Sequence, residues 1–157
     1  MCIRDSNNTI PWWSQSATYQ QIHDATDLGN VFGSPVAVIN SIHLRKDGLL
    51  TTVPAARSLD LTISLGHTAV TAATATTDFA TNLGGAASVV LPNTTVNLPA
   101  LSNVSVPNPV GWSFPFTAPF TYQTALGGLC WEFRFHSSTS TGSAPLDACL
   151  LYTSRCV

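Results

Sequence analysis

Alternating apolar and polar residues predict β-strands along most of this chain. The clearest example is residues 59–65, where Leu, Leu, Ile and Leu alternate with Asp, Thr and Ser. Residues 129–136 repeat the pattern, with Trp131 among the apolar residues and Glu132 among the polar ones. Because successive side chains of a strand point to opposite faces, each stretch should turn one face to a core and the other to water.

Six such stretches together predict an all-β fold. Besides the two above, strands are expected at residues 17–23, 36–45, 88–98 and 112–116. Pro115 has no N–H for a strand ladder, so its strand should lie at a sheet edge or contain a bulge. The Thr-rich region before residue 82 allows at most one short helix, near residues 78–81. The pattern therefore predicts an antiparallel β-sandwich of jelly-roll or Greek-key type.

The two ends of the chain resemble translated ends of the transposon used to prepare sequencing libraries. Residues 149–154 can be encoded as TGT CTC TTA TAC ACA TCT, and the reverse complement of that DNA contains a frame that encodes residues 1–5. We therefore interpret residues 1–6 and 149–157 as artefact-like tails of a metagenomic fragment and exclude them from the fold. Residues 7–148 are then a single β-sandwich domain, which we expect to be truncated at both ends and so incomplete.

Composition and charge exclude several classes of protein. Of 157 residues, 45% are hydrophobic and 9% are charged, and the formal net charge is −2. Without the two tails it is −3, which is far from the basic surface that nucleic-acid binding needs, so we expect no nucleic-acid partner. No apolar run approaches the roughly 20 residues that span a bilayer, so we expect no transmembrane segment.

Metal and cysteine chemistry have little support in the sequence. Only Cys130 lies outside the tails, which argues against disulfides and predicts a small buried apolar residue. The histidines do not share metal-ligand spacing; they are His23, His43, His67 and His136. Asp24, Asp27 and Asp78 lie in predicted turns or loops, where they could hold a structural calcium ion or act as turn and helix-capping residues. We expect no other cofactor.

A glycan-active enzyme would need two carboxyl groups close together. The only glutamate, Glu132, and Asp60 lie on the predicted polar faces of two strands, and they could approach each other if those strands were neighbours. Pairing of either carboxylate with Arg45 or Arg134 across strands explains the same residues without catalysis. The sequence has no nucleophile-elbow motif and no zinc-protease motif, so we expect a protein that is not an enzyme.

The tryptophans suggest where a ligand could bind. Trp112 and Trp131 fall on apolar faces of predicted strands and should be core residues. Trp12 and Trp13 are adjacent, so on a strand they would point to opposite faces and one of them would be exposed. An exposed tryptophan can stack on a sugar ring, which makes these two the candidate ligand-binding residues; covering the edge of the sandwich is the alternative role.

Several segments together resemble a family of exported bacterial β-sandwich domains of unknown function. The segments are Tyr19 to Ala25, Ile42 to Asp47, Leu59 to Leu65, Asp78 to Gly84, Pro119 to Tyr122 and Leu126 to Arg134. Such domains occur in planctomycetes and marine bacteria, often in precursors with a PEP-CTERM-type sorting signal. The resemblance implies an extracellular or cell-surface location, and it supplies no catalytic residues.

These observations give one expected function and two alternatives. We expect a non-enzymatic, exported structural or adhesion domain, with polysaccharide or extracellular matrix as its partner. A carbohydrate-binding module is the main alternative, and a glycan-active enzyme built on Asp60 and Glu132 is the third. The sequence does not define the ligand or the oligomeric state.

Overall fold

The computed structural model describes residues 16–46, 53–102, 108–140, 142, 144 and 146–152. Within these residues the chain forms seven strands and two α-helices. The strands are β1 (Ala17–His23), β2 (Val36–Lys46), β3 (Arg57–Thr68), β4 (Ser88–Leu98), β5 (Val110–Gln123), β6 (Gly128–Ser138) and β7 (Leu146–Tyr152). The helices are α1 (Ala25–Phe32) and α2 (Phe79–Leu83), and short 3-10 turns lie at Ala72–Thr74 and Thr124–Leu126.

The described strands form two antiparallel sheets, with the orders β1-β6-β3-β4 and β5-β2-β7. The pairs are nested in the chain: β3 pairs with β4, β2 pairs with β5, and β1 pairs with β6. This is the winding of a jelly roll, in which a long antiparallel ribbon folds over itself to make two layers. The prediction of an all-β antiparallel sandwich, of jelly-roll or Greek-key type, is confirmed.

The core lies between the two sheets and contains the residues that the alternation placed there. The apolar residues of β3 from Leu59 to Leu65 are fully buried, and so are Trp112 and Trp131. The sheets meet through aromatic contacts such as Phe114 against Phe133, whose ring centroids lie 5.2 Å apart in an edge-on arrangement. Burial of such rings, at about 2 kcal/mol or more each, is the main force that holds the layers together.

The prolines occupy the positions that their missing N–H requires. Pro115 lies on β5, an edge strand, opposite Ser41 at a point where the register with β2 shifts. Pro92 lies on β4, one of the two edge strands of the other sheet, where the register with β3 also shifts. The predicted edge or bulge at Pro115 is confirmed, since the strand shows both features.

The helices differ in part from the prediction. The short helix expected near residues 78–81 is present as α2, with Asp78 at its N-cap. Helix α1 is additional, so the expectation of at most one helix was too low. It buries Leu28 and Phe32, which are spaced one helical turn apart, and it ends at Gly33 in the left-handed conformation with φ 60°. Two buried residues are too short a periodic signal to identify a helix from sequence.

The described fold continues past the predicted domain boundary at residue 148. Strand β7 extends to Tyr152 and pairs with β2, which would otherwise have an open edge. Such pairing uses backbone groups and therefore makes few demands on side-chain identity. We move the end of the described fold to residue 152, while the origin of residues 149–157 as an artefact-like tail stays a prediction. Residues 1–6 lie outside the described residues.

Candidate functional site

An open groove of about 400 Å³ runs beside β1 and is a candidate site in the described residues. One wall consists of five consecutive residues of β1, and the other comes from the segment that leads into α2; the lining residues are Thr18, Tyr19, Gln20, Gln21, Ile22, Ala72, Ala75, Thr76, Phe79 and Asn82. Alternate strand residues point to opposite faces, so five lining residues in succession place the groove along the length of β1, which is an edge strand among the described strands. It follows β1 for about 13 Å.

The wall opposite β1 is held in place by local interactions that the sequence encodes. Asp24 accepts a hydrogen bond at Oδ1 from the Ala72 backbone N–H, at 3.0 Å. Asp78 accepts one from the N–H of Ala80, also at 3.0 Å, and thereby caps α2. The end of α2 packs so closely on β3 that a Cβ on Gly66 would overlap the Leu83 carbonyl oxygen. The segment is therefore fixed against the sheet at both ends.

The amide side chains of Gln20 and Asn82, called the amide lock below, join this wall to the outer face of the sheet through hydrogen bonds. Gln20 donates from Nε2 to the Phe79 carbonyl and to Oε2 of Glu132, each at 2.8 Å. Asn82 donates from Nδ2 to Gln20 Oε1 at 3.3 Å and to the Thr76 carbonyl at 2.7 Å. Both N–H groups of each amide are thus engaged within the fold. These hydrogen bonds hold the two walls of the groove in place without a bound ligand.

Glu132 is more buried than the alternation predicted. It lies on the polar face of β6 as expected, but only 3% of the residue is exposed, because the Gln20 and Asn82 lock covers it. Its second carboxylate oxygen accepts a hydrogen bond from Arg134 at 3.3 Å. The predicted carboxylate–arginine pair is therefore present, although within one strand and not across two.

The groove also presents exposed aromatic surface. The Oε1 atom of Gln21 is buried and has no hydrogen-bond partner among the described residues, but Gln21 pairs with Trp131 and so lies on the core-facing side of β1, on the face opposite to Gln20. Phe79 is 43% exposed. The Tyr19 ring lies 5.6 Å from that of Trp131, so its position is set by the core. None of the ten lining residues is charged. The groove therefore offers aromatic surface and uncharged polar groups.

The candidate catalytic carboxylates are not brought together. Asp60 pairs with Ser137 and Glu132 pairs with Ser64, so four residues of β3, about 13 Å, separate their positions. Glycosidase carboxyl groups lie about 5 to 10 Å apart. Hydrogen bonds from Ser137 and then Thr95, each 2.5 Å long, also hold the pKa of the Asp60 carboxyl below its ordinary value. The two-carboxylate site proposed for a glycan-active enzyme is therefore not formed, because the strand register keeps the pair apart.

The other predicted site residues have separate locations. Trp12 and Trp13 lie outside the described residues. Asp24 precedes α1, Asp27 is in its first turn, and Asp78 caps α2. In the described ranges, no three His, Cys, Asp or Glu residues come together as a group that could hold a metal ion. Backbone hydrogen bonding accounts for Asp24 and Asp78, and a structural calcium ion stays a prediction.

Two histidines at one end of the sandwich act as internal hydrogen-bond acceptors. His23 accepts at Nε2 from the Trp131 indole N–H, at 2.9 Å, and burial lowers its pKa from 6.5 to about 4. His67 accepts at Nε2 from the Gln123 backbone N–H, at 3.0 Å, and stacks on Tyr122. Burial lowers its pKa as well. These contacts give both rings structural roles.

The sequence analysis missed the groove residues Gln20, Gln21, Phe79 and Asn82. One signal was present: the adjacent glutamines place polar side chains on both faces of β1, which is typical of an edge strand that is not fully buried. The approach of Asn82 to Gln20 could not be predicted, because 62 residues separate them in the chain.

Comparisons of the chain with protein families, with curated proteins and with solved structures give no match. The resemblance to exported bacterial sandwich domains therefore stays a prediction, and functional interpretation rests on the groove. In the part of the chain that the structure describes, no helix has the length and hydrophobicity of a membrane span.

Proposed function

We propose that this domain is a non-enzymatic binding module that acts in adhesion on the cell surface or in extracellular matrix. One observation carries the proposal: a pre-formed groove with uncharged lining residues runs beside β1, an edge strand among the described strands of the sandwich. Its volume of about 400 Å³ lies in the range of small-ligand sites. The proposed export rests on the family resemblance and on the sparse charge of the chain.

The chemistry of the groove favours binding over catalysis. Its polar groups are amides and hydroxyls at ordinary hydrogen-bonding positions, and Gln20 and Asn82 are held by the lock. Such groups recognise a ligand without exchanging protons or forming covalent bonds with it. The same composition favours the carbohydrate-binding alternative at the groove, and the expected ligand-binding role of Trp12 and Trp13 stays a prediction.

Adhesion can be tested with beads coated with the domain. We would measure bead retention under flow on three surfaces: a neutral polysaccharide gel, an anionic polysaccharide gel and gelatin. Retention on at least one surface, weakened by Phe79→Ala and unchanged by Leu126→Ala, supports the proposal. Leu126 is a matched control because it is 55% exposed and lies outside the groove. Retention on none of the surfaces, or equal retention of both variants, contradicts it.

Location needs a separate experiment in which the protein is expressed from its native gene. Expression in a bacterial host, followed by fractionation, should place the protein outside the cytoplasm. Recovery of the folded protein only in the cytoplasm would contradict the exported location and would leave the groove unaffected.

A further inference from the structure

We propose that His67 is a pH-sensitive joint between the two sheets. When its ring gains a proton, its hydrogen bond to β5 breaks and residues 123–127, called the return segment below, open locally while the rest of the domain stays folded. The return segment carries the chain from β5 of one sheet to β6 of the other. The groove and its ligand play no part in this device.

The ring of His67 reaches from β3 across the core to the other sheet. His67 pairs with the buried Leu129 of β6, so both side chains lie on the core-facing side of their sheet. The ring stacks on Tyr122 of β5, with 5.4 Å between the centroids and 14° between the planes, and lies 5.1 Å from the Phe120 ring. Its Nε2 atom accepts a hydrogen bond from the Gln123 backbone N–H at 3.0 Å. One side chain of β3 therefore holds the end of β5.

The other contacts of the return segment do not depend on pH near neutrality. The N–H of Thr124 donates to the Pro35 carbonyl at 3.0 Å, and the hydroxyl of Tyr122 donates to the Gly127 carbonyl at 2.7 Å. Neither bond involves a group that gains a proton in weak acid. Among these contacts, only the bond to His67 can therefore be switched by a proton.

Protonation of His67 removes the acceptor on which its bond depends. A neutral imidazole has one acceptor nitrogen, whereas both nitrogens of the charged ring carry a proton. A protonated Nε2 atom would point its N–H at the N–H of Gln123, so the hydrogen bond cannot form. Water can reach the two groups, because His67 is only half-buried and Gln123 is exposed. The return segment can therefore open locally, without unfolding of the core.

The direction of the pH dependence follows from the ring's surroundings. Burial lowers the pKa of His67 from 6.5 in the folded protein. The open segment therefore binds a proton at His67 more readily than the closed one does. The closed joint is fully present above pH 6.5 and is lost as the pH falls through the lowered pKa.

Elements packed on His67 bring no charge to its ring in the described part of the chain. Strands β4 and β5, helix α2 and the return segment contain no charged residue, and their one titratable group is Tyr122. Burial raises the pKa of Tyr122 above its ordinary value, so its hydroxyl stays neutral in acid. The Cys130 thiol beside Leu129 also stays neutral, because burial raises its pKa to about 12. The charged residues of β6 begin at Glu132, about 10 Å along the strand from Leu129.

Strand β1 and helix α1 lie next to this end of the sandwich. His23 of β1 pairs with Leu129 from the other side, so its Cα lies two strand spacings, about 10 Å, from that of His67. Its pKa of about 4 keeps the His23 ring neutral while His67 titrates. The acidic residues of this part of the chain, Asp24 and Asp27, lie at the start of α1. On β3 itself, the charged residues lie at least seven positions from His67.

Nuclear magnetic resonance of the ¹⁵N-labelled domain between pH 7.5 and pH 4.5 would test the joint. The signals of the His67 ring nitrogens and of the Gln123 backbone amide should titrate together, with one apparent pKa below 6.5. The protection of the Gln123 amide against hydrogen exchange, corrected for the intrinsic effect of pH, should fall about tenfold, the effect of one lost hydrogen bond. The amides of Leu61 and Ile63, in the centre of β3, should stay more protected at every pH.

Two variants separate the joint from general acid unfolding. His67→Gln keeps an acceptor that cannot titrate, so the Gln123 response should disappear. His23→Gln is the matched control and should keep the response. A Gln123 response that persists in His67→Gln, or equal loss of protection at Gln123 and in the centre of β3, would overturn the proposal. If His67→Gln does not fold, the original protein still decides: protonation of His67 without a change at the Gln123 amide would overturn it as well.

Discussion

Acid should destabilise the domain through His23. Only 5% of this residue is exposed, and its Nε2 atom accepts the Trp131 indole N–H, so the ring must stay neutral in the folded protein. Burial lowers the pKa of His23 from 6.5 to about 4. The unfolded chain therefore binds a proton at His23 in a pH range where the folded protein does not, and stability must fall as pH falls through that range.

The size of the effect follows from the shift in pKa. Each pH unit between 6.5 and about 4 removes roughly 1.4 kcal/mol, so the full loss attributable to His23 is about 3 kcal/mol. The contribution is fully present above pH 6.5 and lost near pH 4. The Asp60 and Asp78 carboxyls, whose pKa values are also lowered by hydrogen bonds, add losses at lower pH.

Urea unfolding at half-unit steps from pH 4 to pH 8 would measure this loss. His23→Gln keeps an acceptor for Trp131 but cannot titrate, so its stability should fall by about 3 kcal/mol less than that of the original protein over the same range. Thr121→Val, at an exposed position of β5 that does not titrate, is the control and should keep the original pH dependence. Identical pH dependence of the His23→Gln variant and the original protein would refute the reasoning.

Three further predictions concern the scaffold and the lock. Gly66→Ala should lower the free energy of unfolding by about 2 kcal/mol, because a Cβ at this position overlaps the end of α2. Gly85→Ala is the control and should change the free energy little, because no atom lies within 4 Å of the added Cβ. Thermal unfolding of both variants checks this, and equal stabilities would contradict the close packing. Gln20→Met should lower the free energy of unfolding by about 2 kcal/mol, because it removes a hydrogen-bond donor to the buried Glu132. It should also speed amide hydrogen exchange in residues 76–83, because the Phe79 carbonyl loses its bond to Gln20. Unchanged exchange would show that Gln20 does not hold this segment against the sheet. Cys130 should resist alkylation by iodoacetamide at pH 8 in the folded protein and should react when the protein unfolds, because burial raises the pKa of its thiol to about 12. Rapid labelling of the Cys130 peptide in the native state would contradict its burial.

The strands were predictable because each carries its own periodic signal. Strands β1 and β4 have the bounds that the sequence indicates, and the apolar face of β3 is fully buried. The alternation of apolar and polar residues does not predict an element whose periodic signal is short, or one that is defined only by its backbone pairing with another strand. Helix α1 buries only two residues, and β7 is defined by its pairing with β2.

The groove could not be predicted from the sequence, because it is formed by contacts between distant parts of the chain. The strand pattern places Glu132 on a polar face, but only the folded chain brings Gln20 and Asn82 over it, from 112 and about 50 residues away. Separation of Asp60 from Glu132 likewise depends on strand register, which side-chain alternation does not define beyond which face a residue occupies. The sequence therefore predicted classes of function, which stay predictions, and it did not predict the location of the groove.

The most direct test of the groove as a ligand site is a nuclear magnetic resonance titration. The ¹⁵N-labelled domain would be titrated with neutral hexasaccharides of glucose, xylose, mannose and galactose, and shifts would be followed for every backbone amide and every side-chain amide. We predict that at least one sugar shifts signals of residues 18–22, residues 72–82 and the side-chain amides of Gln20 and Asn82, while β7 and the outer face of β2 stay unchanged. Shifts confined to those other strands, or no shifts with any neutral sugar, would contradict the account.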